Sequence, residues 1–274
     1  MDEYRRANRA LWNNWTALHA QSSYYDVEGF KAGKSTLTPI EIDEIGDVAG
    51  KLLLHLQCHF GLDTLSWARR GAEVTGADFS ERAVDLARSL ARELEIPARF
   101  VQSDIYDLPA VLHDEFDIVF TSYGVLYWLP DLHRWAAVVA RFLKPGGIFF
   151  IVEHHPVAAI FGVSGDGDLR AAHPYFGGLE PGQIESYGSY AESSDEFQGM
   201  EYGWAHPVSE VINALLVAGL HLDYLHEFPY SDYPTFPVME CGDDGWWRLP
   251  GKDRDMVPLL YSLKATKPHT VGKR

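Results

Sequence analysis

Cysteine is scarce in this chain. It occurs twice in 274 residues, as Cys58 and Cys241. Two thiols so far apart fit neither a disulfide framework nor a metal-ligand spacing. The expectation is two free thiols in a reducing compartment. Basic residues are also in deficit: 23 Lys and Arg stand against 39 Asp and Glu, a formal net charge of −16. No basic stripe is present, which argues against nucleic acid, whose affinity rests on phosphate contacts. It argues equally against an anionic membrane surface. No apolar run approaches the ~20 residues needed to span a bilayer. The opening segment MDEYRRANRALWNNW is too polar for a secretory signal. These absences together predict a cytoplasmic protein. There is no internal repeat and no low-complexity tract.

What is present is a regular alternation. Tyr4, Leu11, Trp15 and Leu18 recur at helical spacing, so the chain opens with a helix. An aromatic stretch over residues 23–35 follows, then a short helix after Pro39. Residues 51–56 form an apolar strand and 61–70 a helix stopped by Gly71. A second strand covers 73–77. Ser80 caps a helix bearing Ala83, Leu86, Ala87, Leu90 and Leu94. Strands over 98–102 and 116–121 come next, the latter a continuous apolar run suited to burial on both faces. Asp131 caps another helix. Residues 144–147, Lys-Pro-Gly-Gly, make a turn, and 148–152 a fifth strand.

The pattern breaks at Pro156. Residues 156–206 are rich in glycine, aromatics and acids, and a loop that long in a compact domain is usually functional or disordered. Pro207 then opens a helix ended by Gly219. A strand covers 220–228, an irregular stretch 229–251 and a last strand 257–267. Strand–helix alternation predicts an α/β fold with a mostly parallel sheet and helices on both faces.

Ligands of such sheets sit beyond the carboxyl ends of the strands, where strand order reverses. The first strand ends in His55-Leu56-Gln57-Cys58-His59-Phe60-Gly61. The second ends in Ala77-Asp78-Phe79-Ser80, the third in Ser103-Asp104-Ile105 and the fourth in Thr121-Ser122-Tyr123-Gly124. Taken in order, HLQCHFG, VTGADFS and the run from FDIVF to LKPGG resemble the class I S-adenosylmethionine-dependent methyltransferases. The resemblance is close over residues 50–155 and looser over 207–267.

It implies a Rossmann-like sheet of seven strands, the last antiparallel, and S-adenosylmethionine as cofactor. It implies a single domain over 1–274: an N-terminal cap (1–49), a cofactor-binding core (50–155), an inserted lid (156–206) and a C-terminal helix and strands (207–267). By the same resemblance Asp78 accepts from ribose hydroxyls, with Phe79 beside it. Asp104 accepts from the adenine amine, and Ile105 walls the ring. Ser122 and Tyr123 face the methyl donor, and Tyr25 folds over from the cap. The first loop departs from the family: Gln57 and His59 stand where glycines are usual, and only Gly61 is kept. Glycine allows close backbone approach and positive φ, so this departure bears on the geometry at the methionine end. The side chains of His55, Gln57 and His59 can bind the amino-acid end instead. Plain tolerance of the site is the competing reading.

Glu153-His154-His155 closes the fifth strand beside the acceptor space. Either His154 or His155 suits a general base for an acceptor O–H or N–H. Adjacent strand residues point to opposite faces, so a shared metal is not expected. Tyr127, Trp204 and His206 are the candidate contacts to a small-molecule acceptor. Two rivals stand. A nicotinamide oxidoreductase needs a G-x-G-x-x-G turn that HLQCHFG lacks. A non-catalytic module would hold the cofactor, or its demethylated product, without turnover.

Overall fold

The structure, a computed structural model, describes residues 1–164, 168–191 and 197–269. The chain enters through α1 (Glu3–Gln21), capped by the Asp2 carboxylate, which accepts from the Arg5 amide. Next come α2 (Val27–Lys31) and α3 (Pro39–Ile45). Thr38 and Glu41 close a reciprocal capping box at α3, with Pro39 in its first turn.

The core then alternates as β1 (Leu52–Leu56), α4 (Leu62–Arg69), β2 (Glu73–Asp78), α5 (Glu81–Glu93), β3 (Ala98–Gln102), β4 (Phe116–Ser122), α6 (Leu132–Phe142) and β5 (Leu143–His154). Two hairpins follow, β6 (Phe161–Val163) with β7 (Leu169–Ala171) and β8 (Gly182–Tyr187) with β9 (Gln198–Gly203). The chain returns through α7 (Val208–Val217), β10 (His221–Phe228), the short pair β11 (Glu240–Cys241) and β12 (Trp247–Arg248), and β13 (Leu260–Thr266).

One seven-stranded sheet has the order β10-β13-β5-β4-β1-β2-β3. All neighbours pair in parallel except β13, which is antiparallel to both β5 and β10. This is the mostly parallel sheet with a final antiparallel strand that the sequence implied. The pleat sorts the core. Leu54, Val119, Phe149 and Ile151 face α6 and α7, while Leu53, Phe120, Phe150 and Val152 face α3 and Trp67 of α4. Complete burial of each such side chain contributes roughly 1.5–3 kcal/mol. Strand order reverses between β1 and β4, which opens a crevice at their carboxyl ends.

Two expectations need correction. The Lys144–Gly147 turn lies inside β5, which begins at Leu143. Gly146 donates to the Lys267 carbonyl at 2.8 Å and Lys267 donates to that of Gly147 at 2.9 Å, so the turn is absorbed into pairing beyond β13. The segment 156–206 is not a long irregular loop but carries the two hairpins; its residues 165–167 and 192–196 lie outside the described residues. Strand β8 is largely exposed, so no apolar alternation announces it. Its partner β9 is fixed instead by α1: the Asn8 amide donates to the Tyr202 carbonyl at 2.7 Å and accepts from its N–H at 3.0 Å. Among the described residues no helix is long and apolar enough to cross a membrane.

Candidate active site

A cavity of about 1250 Å³ fills the crevice beyond β1, β2, β4 and β5. A single-ligand pocket usually has roughly 300–1,000 Å³, so cofactor and acceptor can share it. Among the described residues lining it, Arg5 and Lys34 are the Arg and Lys side chains. Both are engaged: Arg5 with Asp104 and Asp2, Lys34 with Asp26.

The first loop keeps the glycine conformation without the glycines. Gln57 and His59 have φ of 57° and 51°, in the left-handed region. That costs about 1 kcal/mol or more at each. Gly61 also has positive φ, and a Cβ there would lie 2.6 Å from the Phe100 ring. Glycine is therefore required where the loop meets the core. At 57 and 59 the side chains enter the cavity. The loop is tied down by Cys58, which donates to the Ala77 carbonyl, and by His59, whose N–H donates to Asp78 Oδ2 at 2.8 Å.

The side chains of this loop form a network with the cap. His59 Nε2 lies 2.8 Å from His19 Nδ1, and Gln57 Nε2 donates to the Val125 carbonyl at 3.1 Å. His55 Nδ1 lies 2.8 Å from the Thr64 hydroxyl. Burial lowers His19 and His55 to about 3, and burial together with His19 lowers His59 well below the usual imidazole range. Trp12 packs edge-on to His59, His19, Trp15 and Trp128. Among the described residues, five buried polar atoms on the cavity lining have no protein partner: Trp12 Nε1, His55 Nε2, Gln57 Oε1, His59 Nδ1 and the Tyr127 hydroxyl.

Asp78 closes β2 with Oδ1 accepting from the Ser80 N–H at 2.8 Å. Burial raises its pKa to about 6 against these backbone bonds. Phe79 and Ile105 line the same region. Asp104 Oδ1 accepts from Arg5 Nη1 at 2.8 Å and from the Tyr106 N–H at 2.9 Å. The Arg5 guanidinium lies over the Tyr106 ring, 5.0 Å from its centroid.

At the β4 edge, the Ser122 hydroxyl donates to Asp63 Oδ2 at 3.1 Å, and the Thr36 hydroxyl donates to Asp63 Oδ1 at 2.6 Å. Burial raises the Asp63 pKa. Tyr123 meets the Thr38 hydroxyl at 3.1 Å. The Glu153 carboxylate accepts from the N–H groups of Val125 at 2.8 Å, Leu126 at 3.1 Å and His154 at 2.7 Å, and from that of Gly124. It thus anchors the turn after β4.

The two adjacent histidines differ. His154 Nε2 lies 3.0 Å from Asp232 Oδ1, and Tyr24 donates to Asp232 Oδ2 at 3.3 Å. His154 Nδ1 is 3.8 Å from Glu153, beyond hydrogen-bond range, and has no bonded partner among the described residues. Burial lowers the His154 pKa, but attraction to Asp232 and the bond with it outweigh this and leave it raised. His155 has no free nitrogen: Nε2 meets Glu227 at 2.9 Å and Nδ1 accepts from the Val157 N–H at 3.1 Å. Both of its ring nitrogens are thus engaged, unlike those of His154.

The lid side carries the remaining candidates. The Tyr127 ring covers Gly203, whose added Cβ would lie 1.8 Å from it. Trp204 is buried and donates through Nε1 to the Leu179 carbonyl at 3.3 Å. His206 borders the cavity, but Nε2 meets the Leu129 carbonyl at 2.7 Å and Nδ1 meets Glu210 at 3.1 Å. No ring nitrogen is left for an acceptor, so it offers shape alone. Tyr25 bonds the Tyr190 hydroxyl and stacks on His19 at 5.0 Å. Sequence reasoning missed Arg5, Trp12, His19, Asp63 and Asp232. The first three read as ordinary faces of a helix, Asp63 as a first-turn acid, and Asp232 lies in an irregular segment with no signal.

Residues 54–151 match the family described as Methyltransferase domain. The chain is 29% identical over 184 residues to a ubiquinone biosynthesis O-methyltransferase of Alkalilimnicola ehrlichii, covering 63% of this chain and 74% of that one. It is 29% identical over 204 residues to one of Xanthomonas oryzae pv. oryzae, covering 70% and 81%. An S-adenosylmethionine dependent methyltransferase of Mesorhizobium loti shares the fold, with a TM-score of 0.58, 19% identity, and 86% and 99% coverage. The donor set suits such a cofactor. Carboxylates stand at the ends of β2 and after β3 for hydroxyl and amine donors, and unpartnered donors and acceptors surround the first loop. S-adenosylmethionine is thus the cofactor the site suits; residues 54–151 are a methyltransferase domain on the fold that S-adenosylmethionine-dependent methyltransferases share.

Proposed function

We propose that the enzyme methylates a hydroxyl oxygen of a small molecule, with His154 as general base. The observation that carries this is the His154–Asp232 pair. With Nε2–H donating to Asp232 at 3.0 Å, the neutral ring has its lone pair at Nδ1, the nitrogen without a bonded partner among the described residues. That is the orientation a proton acceptor needs. The named activity of the O-methyltransferase relatives supports oxygen as the acceptor atom.

When bound, S-adenosylmethionine would supply an electrophilic methyl on its sulfonium sulfur, with the neutral thioether as leaving group. The acceptor's proton goes to His154 Nδ1, and Asp232 stabilises the imidazolium. Asp78 and Asp104, with Phe79 and Ile105, would hold the nucleoside; Gln57, His59, Gly61, Ser122, Tyr123 and Tyr25 would bound the methionine end. Tyr127 and Trp204 would bound the acceptor. The described residues act as one domain, with the described parts of 156–206 as the lid that excludes water. The net charge of −16 disfavours nucleic-acid and membrane partners, and we place the enzyme in the cytoplasm.

The test is mass detection of methylated products from a panel of hydroxylated small molecules. His154→Gln should lower turnover by roughly 10²–10⁴ while S-adenosylhomocysteine still binds. Full activity in that variant, or no methylated acceptor despite tight cofactor binding, would overturn the reading. The second outcome would favour a binding module.

A further inference from the structure

We infer that a neutral donor pair, Trp12 Nε1–H and His59 Nδ1–H, holds the carboxylate at the amino-acid end of the cofactor, with His19 as a positioning residue. This rests on the methyltransferase reading above. The cofactor's amino-acid end carries a carboxylate and an ammonium. Carboxylates for the ammonium are plentiful in the cavity. Cations for the carboxylate are not, since Arg5 and Lys34 already bond Asp104 and Asp26.

Two buried ring nitrogens, Trp12 Nε1 of α1 and His59 Nδ1 of the first loop, stand without a partner among the described residues, and their ring centroids lie 5.1 Å apart. An unsatisfied buried polar group costs about 1–3 kcal/mol, and an anion placed between them would satisfy both. Gln57 Oε1, a buried acceptor without a partner on the same loop, suits the ammonium beside it. The left-handed backbone at His59 is what carries its ring to this place.

The pair His19 Nδ1 and His59 Nε2, 2.8 Å apart, shares one proton. Burial keeps both rings neutral. If His19 donates, His59 must carry its own hydrogen on Nδ1, facing the cavity. If His59 donates, its Nδ1 presents a lone pair and repels a carboxylate. Only the first arrangement lets Trp12 and His59 donate together, so His19 sets the tautomer that makes the site anion-binding.

The experiment is calorimetric titration of the full chain with S-adenosylhomocysteine and with 5′-methylthioadenosine, the same thioether nucleoside without the amino-acid group. In Trp12→Phe and in His59→Gly, the Kd for S-adenosylhomocysteine should rise roughly tenfold to a hundredfold, the scale of a lost charge-assisted bond. The Kd for 5′-methylthioadenosine should stay within about twofold, which also certifies the fold. His19→Phe should give the same selective loss, and the ¹⁵N shifts of His59 should change from a protonated Nδ1 to a mixture of tautomers. Equal weakening of both ligands, or unchanged S-adenosylhomocysteine affinity, would overturn the inference and leave the methyltransferase reading standing. Wild-type chain that binds neither ligand would remove both.

Discussion

Arg5 and Asp104, 99 residues apart in sequence, meet at 2.8 Å with both side chains largely buried. The carboxylate that sequence resemblance assigns to adenine is therefore also the anchor of the N-terminal helix. Removing one partner of a buried ion pair strands the other charge, at a cost of roughly 3–5 kcal/mol. Arg5→Met should lower stability on that scale in urea unfolding and expose α1 to proteolysis. It should also weaken S-adenosylhomocysteine binding, because Asp104 loses the contact that orients it. Unchanged stability and affinity would show that the helix is held by its aromatic contacts alone.

The His154–Asp232 pair sets the pH dependence of turnover. The base acts when neutral, so activity rises with pH through its pKa. Asp232 holds that pKa above the ordinary imidazole value. In Asp232→Asn the carboxylate is gone and burial dominates, which lowers the pKa. The acidic limb of the kcat profile should therefore move to lower pH while kcat falls, because the ring is no longer oriented. An unmoved limb would mean that His154 does not titrate in the rate-limiting step.

The contrast between these two pairs marks what a sequence carries. Asp78 and Asp104 were legible because each stands at or just beyond the carboxyl end of a strand in a regular strand–helix alternation, and the sheet's handedness then fixes where they stand. The mostly parallel sheet was legible from the strand–helix alternation, and its seven strands with a final antiparallel one from the family resemblance. Arg5 and Asp232 were not. Each reaches the site by a contact spanning many residues, from an exposed-looking helix and from an irregular segment, and neither has a local pattern. The glycine departures at 57 and 59 were visible, but not that the backbone would keep φ of 57° and 51°. That depends on space for the side chains, which exists only once the cavity has formed. Hairpins β6–β7 and β8–β9 stayed hidden because their exposed faces lack apolar alternation.

Glu41 should make the fold sensitive to alkali. It is fully buried in the α3 capping box, and burial, with the charge of nearby Asp63, raises its pKa to about 8. Between about 4.5 and 8 the folded state then holds a proton that the unfolded state has released. Stability falls as pH rises through that window, by up to about 1.4 kcal/mol per pH unit. Glu41→Gln keeps the capping box and removes the titration. Its melting temperature should vary less between pH 5 and 8 than that of the wild type, with the variant gaining most at pH 8. Parallel melting curves across this range would show that Glu41 is ionised in the fold.

Gly203 lies under the Tyr127 ring, and the Trp204 N–H donates to the Tyr127 carbonyl at 2.8 Å. The turn after β4 and the last strand of the lid thus share one contact. A methyl group at 203 cannot fit within 1.8 Å of an aromatic carbon, so Gly203→Ala must drive the ring and β9 apart. Overpacking of this kind costs roughly 1–3 kcal/mol. The cofactor contacts proposed at β1, β2 and β3 do not involve Tyr127, so S-adenosylhomocysteine affinity should hold. The acceptor should suffer: KM rises and kcat/KM falls by about tenfold, because the displaced ring borders the acceptor space. Tyr127→Ala in the Gly203→Ala background relieves the clash. It should return the lost stability but not the acceptor KM, which separates the steric role of the ring from its contact with the acceptor. Recovery of both would reduce Tyr127 to a spacer between the turn and the lid.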